Sequence, residues 1–275
     1  MRPAATTDRG DEGMLPIWER PRAVAGVYTV RSDRQLAEAD QRSGVQDSDR
    51  FVAHGHRNVF ARELQQVRAD VVRMGELVAL SIDGAVDAFS RQDLQAAARV
   101  VAGDSKIDLA QADLSSLIAT TIATQSPVAG DLRFLVSLSH VTYELERIGD
   151  HAAGVARQVA RLSASRLDLG SVGETALDRM GELASGILHG VLLALVDLDV
   201  DAARKVAAED DEIDRLYHAY FDRTLARMRS EPQWVEVGAH LLFAAKDYER
   251  IGDRVTNIAE LVVFLATGVV EDLNP

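Results

Sequence analysis

The chain contains no cysteine, so its fold uses neither disulfides nor thiolate ligands, and any metal site must be assembled from oxygen and imidazole donors. Proline is limited to six residues and aromatics to 5% of the chain, while Ala, Leu and Val are abundant, a mixture that favours helices over sheets. No signal-peptide apolar core follows Met1-Arg2-Pro3. The longest apolar stretch, about Ala184 to Val196, is broken by His189 and falls short of a bilayer span. These absences predict a cytoplasmic protein. Also missing are the Glu-x-x-His of ferritin-like di-iron bundles, the phosphate-binding Gly-rich loop, the zinc-protease motif and the Ser nucleophile elbow. Nothing in the chain demands catalysis, and no enzyme is expected.

What is present is enough for a full core. At 275 residues and 47% apolar, the chain has room for one large domain or two of ordinary size. Net charge is −13, unevenly spread: residues 1–50 hold nine acids against eight bases, leaving 34 acids and 22 bases in the remainder. An acidic body is repelled by phosphate backbones, so no nucleic acid is expected as a principal partner.

One pentapeptide occurs twice, as Glu146-Arg147-Ile148-Gly149-Asp150 and Glu249-Arg250-Ile251-Gly252-Asp253, each inside a long apolar-periodic segment. On a helix the Glu and Asp of each copy share a face at i and i+4. Such like-charge pairs cost an isolated helix roughly 0.2–0.5 kcal/mol, and a mid-helix glycine costs about 1 kcal/mol against alanine. A bound cation between the carboxylates, or close helix packing over the glycine, would offset those costs, and packing is the preferred reading of Gly149 and Gly252.

The duplication extends well beyond the pentapeptide. Met74-Gly75-Glu76-Leu77 recurs as Met180-Gly181-Glu182-Leu183, and at the same offset of 106 Gly84 matches Gly190, Asp93 matches Asp199, and Asp104-x-x-Ile107-Asp108 matches Asp210-x-x-Ile213-Asp214. The pentapeptides follow at offset 103. An apolar period of threes and fours sets in at Glu63 and predicts a helix to about Ser90; Asp93 then caps a second helix to about Thr124. Ser126-Pro127 stops it, with Pro127 in the first turn of a third helix that runs to about Leu162. Ser163 to Gly173 reads as a linker, after which the pattern repeats. The predicted fold is all-α: an irregular N-terminal extension over residues 1–55, a first three-helix bundle over 56–168 and a second over 169–275.

Each unit therefore carries two acid pairs, Asp104/Asp108 with Glu146/Asp150 and Asp210/Asp214 with Glu249/Asp253. Pro127 stands nineteen residues from both Asp108 and Glu146, which places the two pairs of the first unit at equal height on antiparallel neighbours. Four converging carboxylates stay ionised together only beside a cation; otherwise their pKa values rise. The bland reading has the acids facing solvent or neutralised by Arg147, Arg250, Arg133 and Arg254. The duplication of matched pairs favours oxygen ligands for a hard ion, namely iron, manganese or magnesium. His151 and His218 are read as incidental, since the equivalent of His151 is Arg254.

Two copies of Glu-Arg-Ile-Gly-Asp, each with Asp-x-x-x-Asp upstream, resemble the PhoU family, accessory regulators of the bacterial phosphate transport system. The resemblance spans about residues 57–267. It implies two three-helix bundles in a cytoplasmic homodimer that touches the membrane only through its partners, with multinuclear metal clusters at Asp104, Asp108, Glu146, Asp150, Asp210, Asp214, Glu249 and Asp253. It further implies dampening of phosphate uptake and phosphate-starvation signalling by contact with the phosphate transporter ATPase subunit and a phosphate-sensing histidine kinase. The competing reading is a carboxylate-metal enzyme or a metal-storage protein using the same sites. The second unit continues as Asp253-Arg254-Val255-Thr256-Asn257-Ile258-Ala259-Glu260, close to the family pattern, whereas the first has Gly154 and Arg157 where Asn257 and Glu260 stand, so the first site is expected to be the weaker.

Overall fold

Asp93 and Asp199 start the second helix of each repeat in the same way. Each carboxylate accepts from two backbone N–H groups, Gln95 and Ala96 in one case and Asp201 and Ala202 in the other, and so satisfies donors that a helix start leaves open. The residue before each cap, Gln92 or Leu198, takes a left-handed conformation at φ 51° that ends the preceding helix. The computed structural model describes residues 47–164 and 174–274. Its elements are α1 (Asp47–Arg91), α2 (Leu94–Gln125), α3 (Ala129–Ser163), α4 (Glu174–Asp197), α5 (Val200–Ser230), a short 3-10 turn (Pro232–Trp234) and α6 (Val235–Thr267). Among the described residues there is no strand, and they form two tandem three-helix units, as the periodicity predicts.

Three details differ from the sequence reading. Helix α1 starts at Asp47, ahead of Glu63, because no proline stands between them and a nucleated helix extends one residue at a time; the rest of the expected extension, residues 1–46, lies outside the described residues. Pro127 precedes the first turn of α3, whose N-cap is Val128, while Pro232 opens the 3-10 turn before α6. The apolar stretch of α4 is longer than Ala184 to Val196: Ala176–Asp197 is long and apolar enough to cross a membrane by composition, but half of it is buried in the fold. Leu177, Met180, Ala184, Ile187, Leu188 and Val191 are the core face of that helix. The linker read at Ser163 to Gly173 falls almost wholly outside the described residues, between the end of α3 and the start of α4.

The two units pack through their first and third helices. Along α1 and α4, Ser185 Oγ donates to Asp83 Oδ1 at 2.6 Å and Ser90 Oγ donates to Asp178, so the helices run antiparallel. Along α3 and α6 the antiparallel pairs are Glu144 with Arg254 at 3.3 Å, His151 with Asp247 at 3.0 Å, and Gln158 with His240 at 3.0 Å. Shifting Glu144 and His151 by 103 residues gives Asp247 and Arg254, so the first two contacts are one acid–base pair repeated about a pseudo-twofold axis. The glycines obey the same axis: a Cβ on Gly75 would sit 2.5 Å from Leu192 Cδ2, and one on Gly181 would sit 2.5 Å from Val86 Cγ2.

These two glycines make different demands. Leu192 retains some exposure and a flexible side chain, whereas Gly181 also faces the fully buried Tyr248, whose Cζ and hydroxyl oxygen would each lie 3.1 Å from the added carbon. We expect Gly181→Ala to destabilise by about 1–3 kcal/mol through overpacking, despite alanine's better helix propensity, and Gly75→Ala to cost less. Chemical denaturation of the two variants measures the order; a stabilised Gly181→Ala protein would contradict the close α1/α4 approach.

Candidate metal centres

In each repeat the Asp-x-x-x-Asp helix packs against the Glu-x-x-x-Asp helix, α2 on α3 and α5 on α6. The register is held by apolar residues between the acids: Ile107 and Ile148 in the first repeat, Ile213 and Ile251 in the second, all buried. Gly149 and Gly252 permit the approach. A Cβ on Gly149 would lie 2.9 Å from Ile107 Cδ1 and 3.6 Å from Asp104 Oδ1, and one on Gly252 would collide with Asp210 Oδ1 itself. The glycine therefore does more than allow close packing: in the second repeat it vacates the space that the carboxylate enters.

All eight acids predicted from the sequence stand at these two helix pairs, and within each repeat the four act on one another electrostatically. Burial first, then the Asp150 and Asp108 carboxylates, raise the Asp104 carboxyl above the ordinary aspartate range. Burial and then Asp150 raise that of Glu146. In the second repeat burial, followed by Glu249 and Asp253, raises Asp214. One oxygen from each pair, Asp104 Oδ1, Glu146 Oε2, Asp210 Oδ1 and Glu249 Oε2, is buried and accepts no hydrogen bond. Buried anionic oxygens without donors are costly, and here they recur at symmetry-related places.

Basic side chains from the same helices take up part of this charge. Arg147 lies between Glu146 (Nε to Oε2, 2.7 Å, at an angle that makes no hydrogen bond) and Asp150 (Nη1 to Oδ2, 2.8 Å). Arg250 pairs with Asp253 at 3.0 Å, and Lys246 pairs with Glu249. Of the other arginines read as neutralising partners, Arg254 serves Glu144 across the repeats and Arg133 lies over the Phe264 ring. With the side chains so arranged, no three His, Asp or Glu among the described residues stand close enough to share one ion. The donor set nonetheless suits a hard cation, being carboxylate oxygen throughout, with an undonated buried oxygen in each pair.

Sequence reasoning missed three contributors. Thr256 Oγ1 donates to Asp210 Oδ2 at 3.2 Å, and the first repeat has Ala153 in its place. Lys246, one turn before Glu249, is visible as an i, i+3 partner, and its equivalent in the first repeat is Tyr143. His151, read as incidental, meets Asp247, and Gly154 leaves room for that carboxylate because a Cβ there would collide with it. His218 is exposed, and its charge favours ionisation of Asp214.

A duplicated three-helix unit bearing facing carboxylate pairs defines a class of all-α tandem-repeat carboxylate proteins. Comparison with known families is specific: the model described as the PhoU domain matches twice, over residues 71–159 and 177–262. The chain belongs to the PhoU family. It is 36% identical over 209 residues to the phosphate-specific transport system accessory protein PhoU homolog of Caulobacter vibrioides, covering 76% of this chain and 90% of that protein. The homolog from Clostridium acetobutylicum is 32% identical over 225 residues, which is 79% of this chain and 99% of that one. Among solved structures, PhoU from Pseudomonas aeruginosa superposes with a TM-score of 0.72 at 31% identity, covering 76% of this chain and all of its own. The phosphate transport system regulatory protein PhoU from Streptococcus pneumoniae gives 0.71 at 29% identity, with 78% and 99% covered.

The two centres differ most at Asp210, which is 1% exposed. Burial above all, then the neighbouring Asp214 carboxylate, pushes its pKa up to about 7 against the Thr256 hydrogen bond, which pulls the other way. A folded-state pKa above the unfolded value of 3.8 means that the folded protein binds the extra proton, so stability falls as pH rises from about 4 to about 7. The loss is on the order of a few kcal/mol for a shift of this size. Metal-free protein in chelator should therefore melt higher at pH 5 than at pH 8, and Asp210→Asn should remove much of that difference by raising the melting temperature at pH 8. Calorimetry of both proteins at the two pH values is the check; an unchanged slope in Asp210→Asn would place the proton elsewhere.

Proposed function

We propose that this protein regulates phosphate uptake and phosphate-starvation signalling as a cytoplasmic, non-enzymatic accessory protein. It acts by contact with the ATPase subunit of a phosphate transporter and with a phosphate-sensing histidine kinase, and it meets the membrane only through them. The observation that carries the reading is the match to curated proteins named as accessory to the phosphate-specific transport system along nearly their whole length. The carboxylate clusters supply the second element. Hard ions such as iron, manganese or magnesium would be held by Asp104, Asp108, Glu146 and Asp150 in one repeat and by Asp210, Asp214, Glu249 and Asp253 in the other. A bound ion would neutralise like charges and tie α2 to α3 or α5 to α6. The exposed Arg250 and the half-exposed Arg147 and Lys246 are free to swing outward when the carboxylates turn to an ion. A homodimer completes the proposal.

Two experiments follow. A strain lacking the gene should take up labelled phosphate faster, and express a phosphate-starvation reporter, in phosphate-replete medium; the intact gene should reverse both, and normal uptake in the deletion strain would defeat the regulatory reading. For the centres, changing Glu249 and Asp253 to Ala should remove more bound metal than changing Glu146 and Asp150, because Asp210 and Thr256 leave the second site more buried and better supported. Metal content by elemental analysis, equal in wild type and both variants, would refute ligation at these residues.

A further inference from the structure

Apart from the carboxylate clusters, which stand on the α2/α3 side, the first repeat carries an open groove of about 530 Å³ between α1 and α2. Its floor is apolar, formed by Met74, Leu77, Leu80, Leu114 and Leu117, with Leu80 62% exposed. Its edges are acidic, with Asp70, Glu76 and Asp113 against a single base, Arg73, which is already paired to Asp70. An exposed leucine by itself means little, but the pseudo-twofold supplies an internal comparison. At offset 106 the second repeat replaces Leu80 by Gly186 and Leu117 by Arg223, and it replaces Asp70 and Asp113 by Ala176 and Ala219. A Cβ on Gly186 would meet nothing within 4 Å, so that glycine is no packing requirement. Floor and edge differ together, and neither difference is needed to build a three-helix unit.

We propose that the α1/α2 groove of the first repeat receives an amphipathic helix of a partner protein, with Leu-sized side chains on its apolar face and lysine or arginine along its flanks. An apolar strip between two helices is the shape that takes a third helix through residues at i, i+3, i+4 and i+7. The acidic edges select basic flanks and speed encounter. The same charges argue against a second copy of this chain, because a two-fold contact through the groove would set Asp70, Glu76 and Asp113 against identical acids.

The test uses the full chain and a fluorescein-labelled synthetic helix of about 18 residues with leucines on one face and lysines on its flanks. Anisotropy should show binding that weakens by about tenfold or more in the double variant Leu80→Gln, Leu117→Arg. The second-repeat variant Leu183→Gln should bind as wild type does. Replacing the peptide lysines by glutamate should abolish binding, and unchanged melting temperatures exclude unfolding as the cause. Equal affinity of wild type and the double variant would overturn the proposal, as would equal binding of the glutamate peptide. A photo-crosslinking residue placed at Leu80 in the chain alone tests the other occupants: a crosslinked dimer, or a crosslink to residues 1–46, would assign the groove to a second copy or to the chain's own N-terminal segment.

Discussion

The antiparallel contact of α3 with α6 is the constraint on which the rest of the structure depends. Each of these helices carries one Glu-x-x-x-Asp pair outward to its own repeat while burying Leu145, Ile148, Ala152 and Val155, or Tyr248, Ile251, Val255 and Ala259, toward the core. The register of the seam is set by acid–base pairs rather than by apolar fit alone, Glu144 with Arg254 and Asp247 with His151. A slip by one helical turn would leave those partly buried charges unpaired, at the price that buried, uncompensated ions exact. That register fixes how the two carboxylate centres stand relative to each other, while each centre is assembled by the packing of α2 on α3 or of α5 on α6.

Much of this was legible in the residues. Period, caps and the offsets of 106 and 103 located the six described helices, and the equal distances from Pro127 placed the acids on facing helices. Cross-repeat chemistry was not legible, because a pair such as His151 and Asp247 is 96 residues apart and becomes a pair only once the pseudo-twofold is known. Thr256 escaped notice for a similar reason: a hydroxyl one position from the repeat's Asn257 carries no signal until the Asp210 carboxylate is seen beside it. The start of α1 was missed because apolar periodicity reports burial, and a helix continues beyond the point where burial begins.

The two centres show how one scaffold holds the same acids at different cost. In the first repeat Asp108 is exposed and Arg147 spans the Glu146/Asp150 pair, so charge is relieved by water and by an arginine. In the second, Asp210 is driven into the space over Gly252 with a threonine as its one donor. In the first arrangement solvent and an arginine offset the charge; in the second, burial favours the protonated Asp210 carboxyl.

The pseudo-twofold has a consequence for the origin of the chain. Because Gly75 meets Leu192 as Gly181 meets Val86, and Glu144 meets Arg254 as Asp247 meets His151, each three-helix unit bears a seam complementary to its own copy. A single ancestral unit with that seam would have assembled as a symmetric pair before gene duplication joined the two halves in one polypeptide. Joined in one chain, the halves can differ at matched places, and they do: one has Arg254 where the other has His151, and Asn257 where the other has Gly154.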